Sequence, residues 1–204
     1  MGRPEISRQI MAMSMLGNGL CDAKRYEDAL SVQEAELSTM RRLGNTERSI
    51  LVVQTNLANT YDALGRREDA LRMSRDVYSG HLRLDGEECR STLLAATNYA
   101  NSLCIVQRYA EAKSLLNKMI PVAQRVYGAS NDQTFRMKGC YAHTLCKDPG
   151  ATLDDVREAV ETLEDTARTA RRVLGGAHPT VEGIESCLRN ARSVFRQCLD
   201  RELD

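Results

Sequence analysis

The chain has 204 residues, 42% hydrophobic and 27% charged, with 28 basic residues balanced by 28 acidic ones. A chain of this length supports one sizeable domain or a continuous array and buries about 70% of its unfolded surface. Zero formal charge lacks the basic surplus with which nucleic-acid binders displace counterions, so nucleic acid is not an expected partner. No stretch approaches the ~20 apolar residues of a membrane span, and no membrane partner is expected.

Cys21, Cys89, Cys104, Cys140, Cys146, Cys187 and Cys198 are odd in number and scattered. No apolar secretory segment opens the sequence. Reduced thiols in the cytoplasm are the expectation.

In chain order, the first unit carries Ile10, Met11, Met13, Met15, Leu16 and Gly17, then Ala29 on a second helix that ends before Gly44. In the second unit Leu57, Ala58, Tyr61 and Leu64 recur at helical spacing and stop at Gly65. Ala70, Leu71, Ser74, Val77 and Tyr78 repeat the pattern on a partner helix. The third unit places Ala100 and Ala112 at the same positions, and the fourth Ala142 and Ala159. Small residues there let neighbouring helices approach closely.

Between the helices of the fourth unit, Lys147 to Thr152 contains Pro149 and Gly150, a turn that separates two helices. Thr152 followed three residues on by Asp155 has the pattern of a capping box, which predicts a helix beginning at Leu153. After Gly175, Pro179 suits the first turn of a final helix. That helix bears Val181, Ile184, Leu188, Ala191 and Phe195 on one face, with Arg189, Arg192, Arg196 and Asp200 on the other. One polar face is what an array needs in order to stop.

Two sets of markers give the period. Gly44, Gly86, Gly128 and Gly175 are spaced by 42, 42 and 47 residues; Ala29, Ala70, Ala112 and Ala159 by 41, 42 and 47. The expected organisation is a single repeat domain over 1–204, with repeats at about 5–44, 45–86, 87–128 and 129–175 and a capping helix over 179–200.

The segment Leu57-Ala58-x-x-Tyr61-x-x-x-Gly65-x-Arg67-x-x-Ala70 resembles the tetratricopeptide repeat (TPR) family, which often has Tyr where Arg67 stands. The 42-residue period and Leu174-Gly175-Gly176-Ala177-His178-Pro179-Thr180 are similar to its kinesin-light-chain and nephrocystin branch. The His-Pro pair occurs once rather than in every unit. The resemblance implies an all-α fold, a right-handed superhelical array of antiparallel helix pairs: four pairs and a capping helix.

In such an array the first helices of the pairs line a concave face. Asn59, Asn101, His143 and Asn190 each lie fifteen residues after a marker glycine, and Asn18 is their counterpart in the first unit. Asn is a mediocre helix former, so its recurrence asks for a reason. A carboxamide donates and accepts, as does neutral imidazole, so the row suits the backbone of an extended peptide. The resemblance implies the same use of these asparagines. A purely structural ladder between helices is the alternative. Asn56 and Asn98 lie beside the row and complete the candidate peptide-binding set.

Cys104 and Cys146 occupy equivalent places near His143, but no Cys-x-x-Cys spacing supports a metal site, and groove-lining or packed thiols are expected. The tyrosines read as inter-helix packing. No phosphate loop, His-Glu-x-x-His or nucleophile elbow is found, so neither an enzyme nor a cofactor is expected. The expected function is a scaffold for a protein or extended peptide. The alternative is an assembly module of a larger chain, a kinesin-light-chain-like adaptor or regulatory region, with its apolar N-terminal repeat a homodimer surface.

Overall fold

The computed structural model describes residues 3–203; positions 1, 2 and 204 of the expected domain lie outside the described residues. These hold nine helices: α1 (Arg3–Asp22), α2 (Tyr26–Arg42), α3 (Glu47–Ala63), α4 (Arg67–Asp85), α5 (Arg90–Ile105), α6 (Tyr109–Tyr127), α7 (Asp132–Lys147), α8 (Leu153–Leu174) and α9 (Pro179–Leu203). No strand occurs among the described residues. The chain forms two compact units, Met1–Leu84 and Asp85–Asp204.

Local chemistry sets the helix ends. Thr46 accepts a bond from Ser49 N at 3.3 Å, and Asn131 one from Gln133 N at 2.9 Å. Thr152 closes a full capping box with Asp155, and α8 begins at Leu153, as the sequence predicts. The α7–α8 connection falls on the Pro-Gly segment after Lys147, but it takes up only part of the longer spacing in the fourth repeat: α8 has 22 residues where α6 has 19, so a longer helix accounts for the rest. Gly128 and Gly175 cap α6 and α8 at φ 95° and 85°, where a side chain would be strained.

The turn inside each of the first three pairs is built the same way. Lys24, Gly65 and Gln107 take φ of 58°, 72° and 64°. The next residue bonds back across the helix end: Arg25 N to Leu20 O, Arg66 N to Tyr61 O and Arg108 N to Leu103 O, all at 2.8 Å. Those arginines then pair with Asp28, Asp69 and Glu111 in the first turn of the next helix.

In the first unit α1 packs on α2, α2 on α3, and α1 lies beside α3. Leu30, Leu37, Met40, Val53, Leu57, Tyr61 and Ala70 form its core. Arg83 near the end of α4 pairs with Glu47 at the start of α3, which fixes that pair as antiparallel. In the second unit each helix packs on the next from α5 to α9, and α5, α7 and α9 lie side by side. Tyr127 Oη donates to Arg90 O at 3.0 Å, joining the end of α6 to the start of α5. Phe135, Leu93, Leu103, Leu116, Met119 and Leu163 are buried there. The small residues singled out in the sequence, Gly17, Ala58, Ala100, Ala142 and the alanines at 29, 70, 112 and 159, are all buried. Val181, Ile184 and Ala191 of α9 are buried while Arg189, Arg192 and Arg196 are exposed.

Candidate functional site

Side chains of neighbouring first helices meet in the same way in both units. In the first unit Asn56 Nδ2 of α3 donates to Asn18 Oδ1 of α1 at 3.3 Å, and Cys21 Sγ pairs with Thr60 Oγ1 at 3.3 Å. In the second, Cys140 Sγ of α7 donates to Asn101 Oδ1 of α5 at 2.9 Å, and Cys104 Sγ pairs with Thr144 Oγ1 at 2.9 Å. The two ladders are equivalent rung for rung. Cys follows Asn by one turn on the earlier helix, and Thr follows its partner by one turn on the later. Cys140 therefore stands where Asn56 stands in the first unit.

A groove of about 400 Å³ runs over α5, α7 and α9 of the second unit. Asn98, Asn101 and His143 line it, together with Thr97, Gln133, Arg136, Cys140 and Cys187. Leu94 and Ile184 add apolar wall. Gln133 Nε2 donates to Thr97 Oγ1 at 2.9 Å, which holds part of the polar rim in place. Asn101 accepts from Cys140 with its carbonyl oxygen. Asn190 is exposed on α9 and is not among the lining residues. In the first unit Asn59 is exposed on α3, whereas Asn56 donates to Asn18.

Electrostatics centre on the thiols. The mutual influence of the Cys104 and Cys140 thiols is the largest on both. It draws the first ionisation of the pair below the ordinary thiol range, with His143 and Thr144 assisting at Cys104, and pushes the second well above it. Burial pushes Cys187 up, and burial with Cys187 and Cys198 nearby pushes Cys146 up to about 11. No group of three or more His, Cys, Asp or Glu side chains among the described residues is placed to hold a metal ion. No helix among them is long and apolar enough to cross a membrane.

With this geometry in hand, a family model for the tetratricopeptide repeat matches residues 8–81. The chain is also similar to a point-substituted form of a Podosopora anserina kinesin light chain candidate with nearly identical TPR-like repeats. They share 18% identity at a TM-score of 0.79, over 99% of this chain and 92% of that one. The form of that protein without the substitution aligns at 18% identity and TM-score 0.76, over 95% and 90%. This is a TPR-like repeat fold. BtubC (BKLC) from P. vanneervenii aligns at 13% identity and TM-score 0.57, over 96% of this chain and 82% of that one. No curated protein matches in sequence.

Within the TPR-like repeats, sequence reasoning missed a buried polar cluster. Gln33 and Glu36 of α2 are each 1% exposed. Gln33 accepts from Thr60 Oγ1 at 2.8 Å and donates to Cys21 Sγ at 3.6 Å; Ser14 donates to Glu36. The only available signal was their spacing on the apolar side of α2. Two of the tyrosines pack between helices: Tyr61 and Tyr141 are buried, and their hydroxyls donate to Glu34 and Glu158, each at 2.9 Å.

Proposed function

We propose that the chain is a non-catalytic binding scaffold that takes an extended peptide or protein segment against its first helices. The groove over α5, α7 and α9 carries this reading. Its volume suits a few residues of a ligand, and its lining mixes amides, hydroxyls and an imidazole with apolar wall. Amides that donate and accept fit an extended backbone, and the apolar wall fits alternate side chains. Net hydrogen bonds of about 0.5–1.5 kcal/mol each, less ordering costs, put the affinity in the micromolar range, roughly −8 kcal/mol. The reading places the protein in the cytoplasm, where thiols stay reduced.

The test begins with peptides selected from a random library on the wild-type chain and measured by fluorescence anisotropy. The Asn98→Ala/Asn101→Ala double variant should bind them at least about tenfold more weakly, a loss of ~1.4 kcal/mol, with helicity and melting unchanged. Equal affinity would move the ligand elsewhere. Unfolding of the variant would make the row a structural ladder.

A specific observation favours a second reading, assembly through the first helix. Met11, Met15 and Leu16 of α1 are 65%, 70% and 55% exposed and share one side of the helix. Apolar side chains grouped in this way suit the same surface of a second copy.

A further inference from the structure

The ladder between first helices needs only an acceptor and a donor at each rung, and Asn56 shows that an amide suffices at the position of Cys140. A thiol there adds a second sulfur, in the lining of the groove, one rung from the buried Cys104. Cys140 lines the groove, while Cys104 is 8% exposed one turn further along α5. Thr144 Oγ1 of α7 pairs with Cys104 Sγ at 2.9 Å, and Cys140 Sγ donates to Asn101 Oδ1 of α5 at 2.9 Å, so the two cysteines sit on consecutive rungs between the same two helices. We propose that Cys104 and Cys140 are a thiol-oxidation site, closing to a disulfide when the chain meets a hydroperoxide that enters by the groove.

The chemistry balances in two steps. The sulfur of the pair that carries the negative charge attacks the terminal peroxide oxygen. The O–O bond breaks, the sulfur becomes a sulfenic acid, and the departing hydroxide or alkoxide takes a proton. The second thiol then attacks the sulfenic sulfur, forms the S–S bond and expels water, with its own proton completing that water. Overall two thiols are oxidised, one peroxide is reduced, and two hydroxyl-bearing products leave. A shared, lowered first ionisation supplies the thiolate at neutral pH; Cys146 and Cys187, pushed up by burial, stay protonated and slow. Cys104 and Cys140 lie on consecutive rungs of the same contact between α5 and α7, so closing the bond requires the two side chains to turn toward each other. The inference stands on the thiols alone and does not require the peptide reading.

The full chain is treated with a small excess of hydrogen peroxide, alkylated without reductant, digested and mapped by mass spectrometry. A linked Cys104–Cys140 pair that disappears on adding dithiothreitol is the expected product. Cys140→Asn installs the residue of the first unit's rung, so it keeps the fold and loses the link, whereas Cys146→Ser and Cys187→Ser retain it. Free, alkylated Cys104 and Cys140 after peroxide would overturn the proposal. So would a dominant link through Cys146 or Cys187, or sulfinic acid on Cys140 without a link.

Discussion

Glu36 shows how one side chain sets a pH response. It is 1% exposed in α2, with Ser14 donating to it. Burial raises its pKa above the ordinary 4.5, and the Ser14 bond only partly offsets this. A carboxyl whose folded value is raised favours the fold below its unfolded value, and that contribution is lost as pH rises through the folded value. Glu36→Gln removes the charge at neutral pH and keeps a carbonyl for Ser14. The variant should be more stable than wild type by about 1 kcal/mol at pH 7 and equal or less stable near pH 4. Urea unfolding at the two pH values checks this, and a constant gap between the proteins would show that Glu36 is not responsible. Asp155 acts in the opposite sense. The hydrogen bond from Lys113, then those from Thr152, lower its pKa from 3.8 to about 2. Its contribution is present above 3.8 and lost as pH falls through about 2, so the acid limb should persist in the Glu36→Gln protein.

At the scale of the element, the turns inside the helix pairs separate what sequence can show from what it cannot. Gly65 marks its turn openly, but Lys24 and Gln107 hold the same left-handed backbone with side chains that disfavour it. Replacing Gln107 with Gly should therefore stabilise the second unit by about 0.5–1 kcal/mol, the relief of strain less the entropy of glycine. Gly65→Ala should lose a similar amount. Denaturant midpoints for the two variants check the pair of signs, and a destabilised Gln107→Gly would refute the account. Several helix limits that rest on local chemistry are legible, at Thr152 with Asp155, at Pro179 and at the glycines after α6 and α8, whereas the Thr46 and Asn131 caps are not singled out by the repeat markers. The polar face of α9 was legible too, because one helix period suffices to find it. Partners across helices were not. The row of asparagines was aligned at the 42-residue period, yet the observed bonds join residues offset by 38 and 39, Asn18 with Asn56 and Asn101 with Cys140. Neighbouring helices cross with their own register, which the repeat length does not contain. Gln33 and Glu36 escaped for a related reason. Periodicity ranks a face as apolar and cannot announce a buried amide whose partners lie on two other helices.

At the scale of the whole molecule, the balance of 28 basic and 28 acidic residues removes long-range repulsion between copies, so short-range contacts govern association. Met11, Met15 and Leu16 are the largest cluster in sequence of exposed large apolar side chains on any described helix. If they bury against the same face of a second copy, each well-covered side chain contributes up to about 1.5–3 kcal/mol, enough for a weak dimer once association costs are met. Light scattering across a range of concentrations should then show mass rising from monomer toward dimer. Met15→Glu places a charge at the centre of the contact and should hold the protein as a monomer throughout, while circular dichroism remains that of wild type. Salt should strengthen the wild-type dimer slightly or leave it unchanged, because burial of apolar surface rather than ion pairing drives it. A wild-type chain that stays monomeric at every concentration removes the assembly reading and leaves α1 as an exposed edge of the first unit. A dimer that survives Met15→Glu places the interface on another face.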